Sequence, residues 1–103
     1  MKFLSFGMFD VAKVADVAQA SDKFWASPPP GVKMLADYVC LGIPFPGAPP
    51  NTVVGVSVFE AESAEVLTAA SYPLMLAGAS LWNVPVMEMP VAGAAELENK
   101  MRR

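Results

Sequence analysis

The spacing of apolar residues divides the chain into short elements. Residues 2–9, "KFLSFGMF", are aromatic-rich and bounded by polar positions, which predicts a β-strand. Asp10 follows at the position of a helix N-cap, and apolar side chains recur at helical spacing from Val11 to Trp25. The sequence "SPPPG" (27–31) cannot continue a helix, so we expect the first helix to end there.

Two strands flank a proline-rich connection in the middle of the chain. Residues 31–42 alternate between a mixed side and an uncharged side, and the uncharged side carries both Met34 and Tyr38. The connection covers residues 42–51. Residues 52–60, "TVVGVSVFE", are β-branched and nearly uncharged, and they form the strongest strand pattern in the chain.

The last third of the chain predicts helix, strand and helix. Residues 61–78 begin with acidic side chains, which suit the positive end of a helix dipole, and Pro73 is expected to kink or split this helix. Residues 80–89 form a final strand in which Pro85 suits an edge or a bulge. Residues 90–103 predict a short C-terminal helix with favourable pairs of opposite charge.

This order of elements predicts an α+β protein with the ferredoxin-like βαββαβ fold and a four-stranded antiparallel sheet. We assign residues 1–91 to this domain and residues 92–103 to a C-terminal helical tail. Two helices cover only one face of such a sheet. The strand at 52–60 is nevertheless apolar on both sides, with Val56 on one and Phe59 on the other. We therefore expect a homodimer that covers the open face of the sheet with a second copy of the chain.

The first twenty residues have a second interpretation, because an apolar run before an A-x-A site at 18–20 is typical of a secretory signal. That signal would have one lysine as its basic region, and Asp10, Lys13 and Asp16 interrupt its apolar run. The same charges suit a half-buried helix, so we favour strand and helix and predict a cytoplasmic protein. Cys40 is the single cysteine, which agrees with a reducing compartment.

Composition narrows the classes of function. The chain has 103 residues, enough for one domain, and its 54% hydrophobic content is high for that size, which favours a partner or ligand. The net charge of −3, without a basic cluster, argues against nucleic-acid binding. No apolar run approaches the roughly 18 residues of a membrane span. Histidine is absent, so the usual general base and the commonest metal ligand are missing, and we predict no metal and no cofactor.

Three segments resemble small members of the dimeric α/β-barrel superfamily. They are "PPPGVKML" (28–35), "VFEAESAEVL" (58–67) and "WNVPVMEMPV" (82–91). The resemblance implies two ferredoxin-like sheets packed face to face. The superfamily includes cofactor-independent monooxygenases, haem-degrading enzymes and isomerases, along with proteins without a known reaction. A haem-ligating histidine cannot exist in this chain.

Four side chains are candidates for binding a flat ligand, chosen by residue type: Trp82, Asn83, Tyr38 and Trp25. An indole and an amide at 82–83 can stack on a ring and orient it in an apolar pocket. The alternative for each aromatic residue is ordinary core packing. Cys40 lacks a histidine or a flanking cation to activate it, which favours a small buried apolar role.

Two functional hypotheses follow. The first is a dimeric barrel that binds a small apolar or aromatic ligand without established catalysis. The second is a cofactor-independent monooxygenase or isomerase that acts on a small aromatic substrate held by Trp82, Asn83 and Tyr38. An enclosed cavity beside those three residues would favour the second hypothesis. The missing histidine and the lack of a nucleophile–base pair favour the first.

Overall fold

The computed structural model describes residues 1–103. Its elements in chain order are β1 (Lys2–Asp10), a 3₁₀ turn (Val11–Lys13), α1 (Val14–Ala26), β2 (Val32–Val39), β3 (Thr52–Ala61), α2 (Ala64–Leu76), β4 (Ser80–Pro85) and α3 (Ala94–Arg102). The strands form one sheet in the order β2-β3-β1-β4, and all neighbours are antiparallel. This is the predicted ferredoxin-like βαββαβ arrangement with a C-terminal helix.

Polar side chains and glycine set the ends of the two main helices. Asp10 caps the 3₁₀ turn that leads into α1, because its carboxylate accepts a hydrogen bond from the Ala12 amide at 2.8 Å. The Ser63 hydroxyl caps α2 in the same way. Pro73 lies inside α2 without splitting it. The helix ends before Gly78, which adopts a positive φ of 117° that a side chain would disfavour.

The predicted strand at 80–89 is too long. β4 ends at Pro85, and the Val86 amide makes one more hydrogen bond, to the carbonyl of Lys2 at 3.0 Å. Pro85 itself lies on an edge strand, as predicted, where its missing N–H costs no ladder bond. The residues between Pro85 and α3 form no regular element.

A β-bulge in β2 overturns the predicted alternation of that strand. Met34 lies opposite Phe59 in β3, but the register then shifts, so that Ala36 rather than Leu35 is the next paired residue. A bulge moves every later side chain to the other face of the sheet. Met34 and Tyr38 therefore lie on opposite faces, which is contrary to the prediction that they share one.

The helix-covered face of the sheet has two different halves. In the first, which we call the filled half, large apolar side chains pack under α2 and form the buried core: Phe3, Val32, Phe59, Ala61 and Leu67. In the second, the hollow half, the central strands β1 and β3 present small residues to the helices. Ser5 lies opposite Ser57, and Gly7 lies opposite Gly55. The helices are held away from the sheet by the filled half, so the hollow half leaves empty space beneath them.

Candidate functional site

A cavity of about 430 Å³ lies between the helices and the hollow half of the sheet. Of the 21 residues that line it, 14 are hydrophobic. α1 contributes an aromatic wall of Phe24 and Trp25, and Leu74 lies on the side of α2. The exposed residues Val14 and Val39 also line the cavity, so its rim includes the start of α1 and the end of β2. The size and the lining are typical of a small-molecule site.

Two facing glycines form the floor of the cavity. Gly7 and Gly55 are paired across β1 and β3, and both line the cavity. A Cβ atom added to Gly55 would meet only the Tyr38 carbonyl oxygen, at an ordinary contact distance of 3.6 Å. A Cβ atom at Gly7 would lie 2.9 Å from the Leu81 side chain. The cavity therefore exists at Gly55 because glycine leaves the space free.

The aromatic wall is held by stacking onto the filled half. The Trp25 ring stacks on Phe59, with ring centroids 5.8 Å apart and planes inclined by 17°. Phe24 meets the same indole edge to face at 4.3 Å. Such contacts fix the orientation of the indole. Trp25 thus joins the packed core to the cavity and offers a rigid apolar surface to a planar ligand.

One level of the sheet carries a row of polar side chains across all four strands. In the strand register, Asp37 lies opposite Ser57, Ser57 opposite Ser5, and Ser5 opposite Asn83. We call these four residues the polar row. The Ser57 hydroxyl donates a hydrogen bond of 2.7 Å to Oδ1 of Asp37. Asp37 is the only charged residue that lines the cavity, and no cation pairs with it.

The structure separates the four residues that were chosen by type. Trp25 lines the cavity. Trp82 lies opposite Phe6 on the open face of the sheet and is 49% exposed. Tyr38 is among the residues that line the cavity, where its backbone carbonyl lies next to Gly55. Its side chain nevertheless belongs to the same open face as Trp82, because the residue is paired with Val56, and Tyr38 is 64% exposed.

Asn83 occupies the helix-covered face at the end of the polar row, and its Oδ1 atom is buried without a hydrogen-bond partner. Trp82, Asn83 and Tyr38 therefore do not surround one pocket within a single chain. The arrangement that the oxygenase or isomerase hypothesis requires is not formed by this chain alone.

The ion pairs of the structure lie away from the cavity. The Glu60 carboxylate accepts a hydrogen bond from the N-terminal amine at 2.6 Å. Glu88 accepts one from the Lys2 ammonium at 2.9 Å, and this bond with its charge attraction lowers the pKa of Glu88 and raises that of Lys2. No three side chains of the metal-binding types converge anywhere in the chain.

Sequence reasoning missed the residues that create the cavity. The signal was present as "SFG" at 5–7 and "GVS" at 55–57, because alternate residues of a strand face the same side. Antiparallel pairing brings serine to serine and glycine to glycine, which leaves the middle of the helix-covered side of β1 and β3 without large side chains, between the pairs Phe3–Phe59 and Phe9–Val53. Asp37 gave no such signal, because only the bulge turns it toward the helices.

The fold and the cavity define a small ferredoxin-like α+β protein with an internal apolar site. The chain matches no known protein family, and no curated protein is similar to it in sequence. Among solved structures, it is similar to the C-terminal domain of the MgtC protein from Mycobacterium tuberculosis, with a TM-score of 0.54 and 6% identity. That alignment covers 86% of this chain and 93% of the domain.

Two further structures align less well. A putative antibiotic biosynthesis monooxygenase from Chloroflexus aurantiacus has a TM-score of 0.43 and 16% identity, over 89% of this chain and 100% of the other. A DUF3240 family protein from Shewanella baltica has a TM-score of 0.41 and 11% identity, over 88% and 96%. The likeness to the MgtC domain supports the fold alone, and membership of the dimeric α/β-barrel superfamily stays a prediction. None of the three helices is long and apolar enough to span a bilayer.

Proposed function

We propose that this protein binds a flat, mostly apolar small molecule in the cavity and works as a homodimer. The observation that carries the ligand proposal is the cavity of about 430 Å³ above the facing glycines Gly7 and Gly55. Glycine is unfavourable in the middle of a strand because it loses more backbone entropy than other residues and packs no side chain. Both glycines therefore cost stability. Gly55 leaves free binding space in return, whereas the Leu81 side chain lies close above Gly7.

The lining favours a planar ring system. Trp25 and Phe24 present aromatic surface on one side, and the backbone of the glycines presents a flat floor on the other. A ligand between them makes stacking contacts above and close backbone contacts below. A bicyclic aromatic compound has a smaller volume than the cavity, so the site accepts it without rearrangement.

Binding is tested with 2-naphthol, followed by backbone amide NMR on uniformly labelled protein. We expect a dissociation constant on the order of 10 to 100 μM, because an eleven-atom ligand gains only part of the best efficiency per atom. The amides of Gly55 and Ser57 should shift, and those of Val58 and Val84 on the open face should not. The matched variant Gly55→Val, which fills the floor, should abolish the shifts.

The open face of the sheet carries the dimer proposal. Val54 on this face is already buried, but exposed or half-buried apolar side chains remain on all four strands: Leu4, Phe6, Met8, Ala36, Tyr38, Val56, Val58, Trp82 and Val84. The chain has 7027 Å² of accessible surface, whereas a compact monomer of 10.9 kDa exposes about 5,600 Å². The difference exceeds the roughly 800 Å² per partner of a standard interface.

The shape of the chain agrees with this interpretation. Its smallest dimension is 19 Å, and its radius of gyration is 15.7 Å, whereas a compact domain of this length has about 13 Å. A single layer of helices on a single sheet is half of a closed sandwich. A second copy placed sheet to sheet would bury Trp82 and Tyr38, the two large aromatic residues that this chain leaves exposed on the open face.

The dimer is tested by light scattering at micromolar concentration. The wild-type protein should have twice the chain mass of 10.9 kDa. Trp82→Asp should reduce that mass to one chain, because an unpaired carboxylate buried in an apolar interface is strongly disfavoured. Leu76→Asp is the matched control, since Leu76 is exposed on α2 and lies away from the open face. A wild-type mass of one chain rejects the dimer.

A further inference from the structure

We propose that the polar row selects a ligand with a hydrogen-bond donor, such as the hydroxyl of a phenol or the amino group of an arylamine. This inference rests on the proposed binding of a flat ligand in the cavity, and it names the chemical class of that ligand. The row is Asp37, Ser57, Ser5 and Asn83, one residue from each strand. Three of the four line the cavity directly.

The row presents mainly hydrogen-bond acceptors. Asp37 is an exposed carboxylate at the edge of the cavity and can only accept. Ser57 has already donated its single hydroxyl proton to Asp37, at 2.7 Å, so its oxygen is left with free lone pairs. Asn83, at the end of the row, does not line the cavity; its Oδ1 atom is buried without a partner, and its amide group also carries two N–H donors. Ser5 is the one member whose hydroxyl proton is not engaged by a neighbour in the row.

This pattern disfavours ligands that are themselves acceptors. A carbonyl group of a ligand placed against Asp37 would set one hydrogen-bond acceptor against another. A ligand carboxylate would in addition be repelled by the negative charge of Asp37. A hydroxyl or amino group donates a proton to a lone pair of Asp37 or Ser57 that their own hydrogen bond leaves free and that the ligand would otherwise shield from water. The carboxylate makes the bond charge-assisted, which strengthens it relative to a bond between neutral groups.

The bulge at Met34/Ala36 is what turns Asp37 to the helix-covered face. Without the extra residue, the strict alternation of β2 would have placed Asp37 on the open face. The bulge leaves Leu35 unpaired in the edge strand β2, and it places Asp37, the only charged residue that lines the cavity, beside Ser57. Bulges that redirect a side chain in this way are common beside binding and active sites.

The test compares 2-naphthol with 2-methoxynaphthalene, in which a methyl group replaces the donated proton. We expect wild-type protein to bind 2-naphthol about tenfold more tightly, the value of one charge-assisted hydrogen bond. Asp37→Ala should erase that preference by weakening 2-naphthol alone. Asp16→Ala is the control, since Asp16 is an exposed acidic residue of α1 that does not line the cavity. Amide NMR titration gives both dissociation constants.

The other outcomes separate the two proposals. Equal affinity for the two compounds in wild-type protein overturns the donor selectivity and leaves the cavity as a binding site. A preference for 2-naphthol that survives Asp37→Ala also overturns the role of the polar row. If neither compound binds up to about 100 μM, the proposed function itself fails, and the selectivity fails with it.

Discussion

Replacing Gly55 with valine should change the stability of the protein and its ligand binding in opposite directions: the fold becomes more stable, and binding in the cavity is lost. Gly55 lies in the centre of β3 with ordinary strand geometry, so valine adopts its backbone conformation without strain. Its Cβ atom would have one contact, the Tyr38 carbonyl oxygen at 3.6 Å, and the two methyl groups would extend into the cavity. The substitution thus fills the floor of the site and disturbs nothing around it.

The expected gain in stability follows from strand chemistry. Glycine costs about 0.5–1 kcal/mol in a strand through its unfolded-state entropy, and valine is among the best strand formers on a scale that spans about 1 kcal/mol. We expect Gly55→Val to raise the free energy of unfolding by about 1 kcal/mol, and burial of the new methyl groups adds to this. For a domain of this size, a gain of about 1 kcal/mol raises the midpoint temperature of thermal unfolding by about 4–8 °C. The same variant should lose 2-naphthol binding.

Thermal unfolding by circular dichroism, at one fixed protein concentration, measures the first effect, and amide NMR titration measures the second. Gly7→Val is the matched control. Its Cβ atom would lie 2.9 Å from Leu81, so the neighbouring side chain must move and the stability gain should vanish. A Gly55→Val protein that is less stable than wild type by 1 kcal/mol or more, or that still binds 2-naphthol, would refute the account of the hollow half.

Three further perturbations test the packing and the local electrostatics. Leu67→Ala in the filled half should lower the free energy of unfolding by about 3 kcal/mol. Leu74→Ala on the cavity wall should lower it by only about 1 kcal/mol, because Leu74 already borders empty space. Urea denaturation measures both changes. Ser63→Ala removes the cap of α2 and should cost about 1 kcal/mol in the same assay, while Ser63→Asp restores it. Lys2→Met should return the lowered pKa of Glu88 toward its ordinary value in a carboxyl NMR titration. Because the bond lowers the pKa of Glu88, its contribution to stability is present above the pKa of Glu88 in the unfolded chain and is lost as the pH falls through the lowered pKa of the folded protein. Because the bond raises the pKa of Lys2, the same contribution is lost at alkaline pH, as the pH rises through that raised value. An unchanged Glu88 pKa in Lys2→Met would contradict the assignment.

Most of the fold was predictable because its elements are marked locally. The spacing between Val11 and Trp25, the prolines at 28–30 and the β-branched run at 52–60 are signals that depend on near neighbours in the chain. The strand order followed from the βαββαβ sequence of elements. The end of β4 was misplaced because Met87 and Met89 continue an apolar pattern beyond the last ladder bond at Val86.

The site was harder to predict because it depends on register. Trp82 and Asn83 are consecutive in a strand and must point to opposite faces, a consequence of strand geometry that selection by residue type ignored. The bulge beside Leu35 has no local sequence signal, yet it decides the faces of Asp37 and Tyr38. The cavity arises where Gly55 has no side chain, and a pattern of apolar side chains does not reveal a position that lacks one.

The division of one sheet face into a filled half and a hollow half is the central feature of this molecule. The filled half supplies the buried contacts of Phe3, Phe59 and Leu67, and these hold the helices at a fixed height above the sheet. The hollow half then keeps its space open without further support. A small domain can in this way hold a preformed cavity while its core stays packed.

The most direct test is a set of amide NMR spectra of the protein titrated with 2-naphthol, with every shift mapped onto the strands. The account predicts that the largest shifts fall on Gly7, Gly55 and Ser57 in the hollow half, with the Trp25 indole N–H moving alongside them. Shifts confined to the open face around Val58 and Val84, or an unchanged spectrum at about 100 μM ligand, would contradict it.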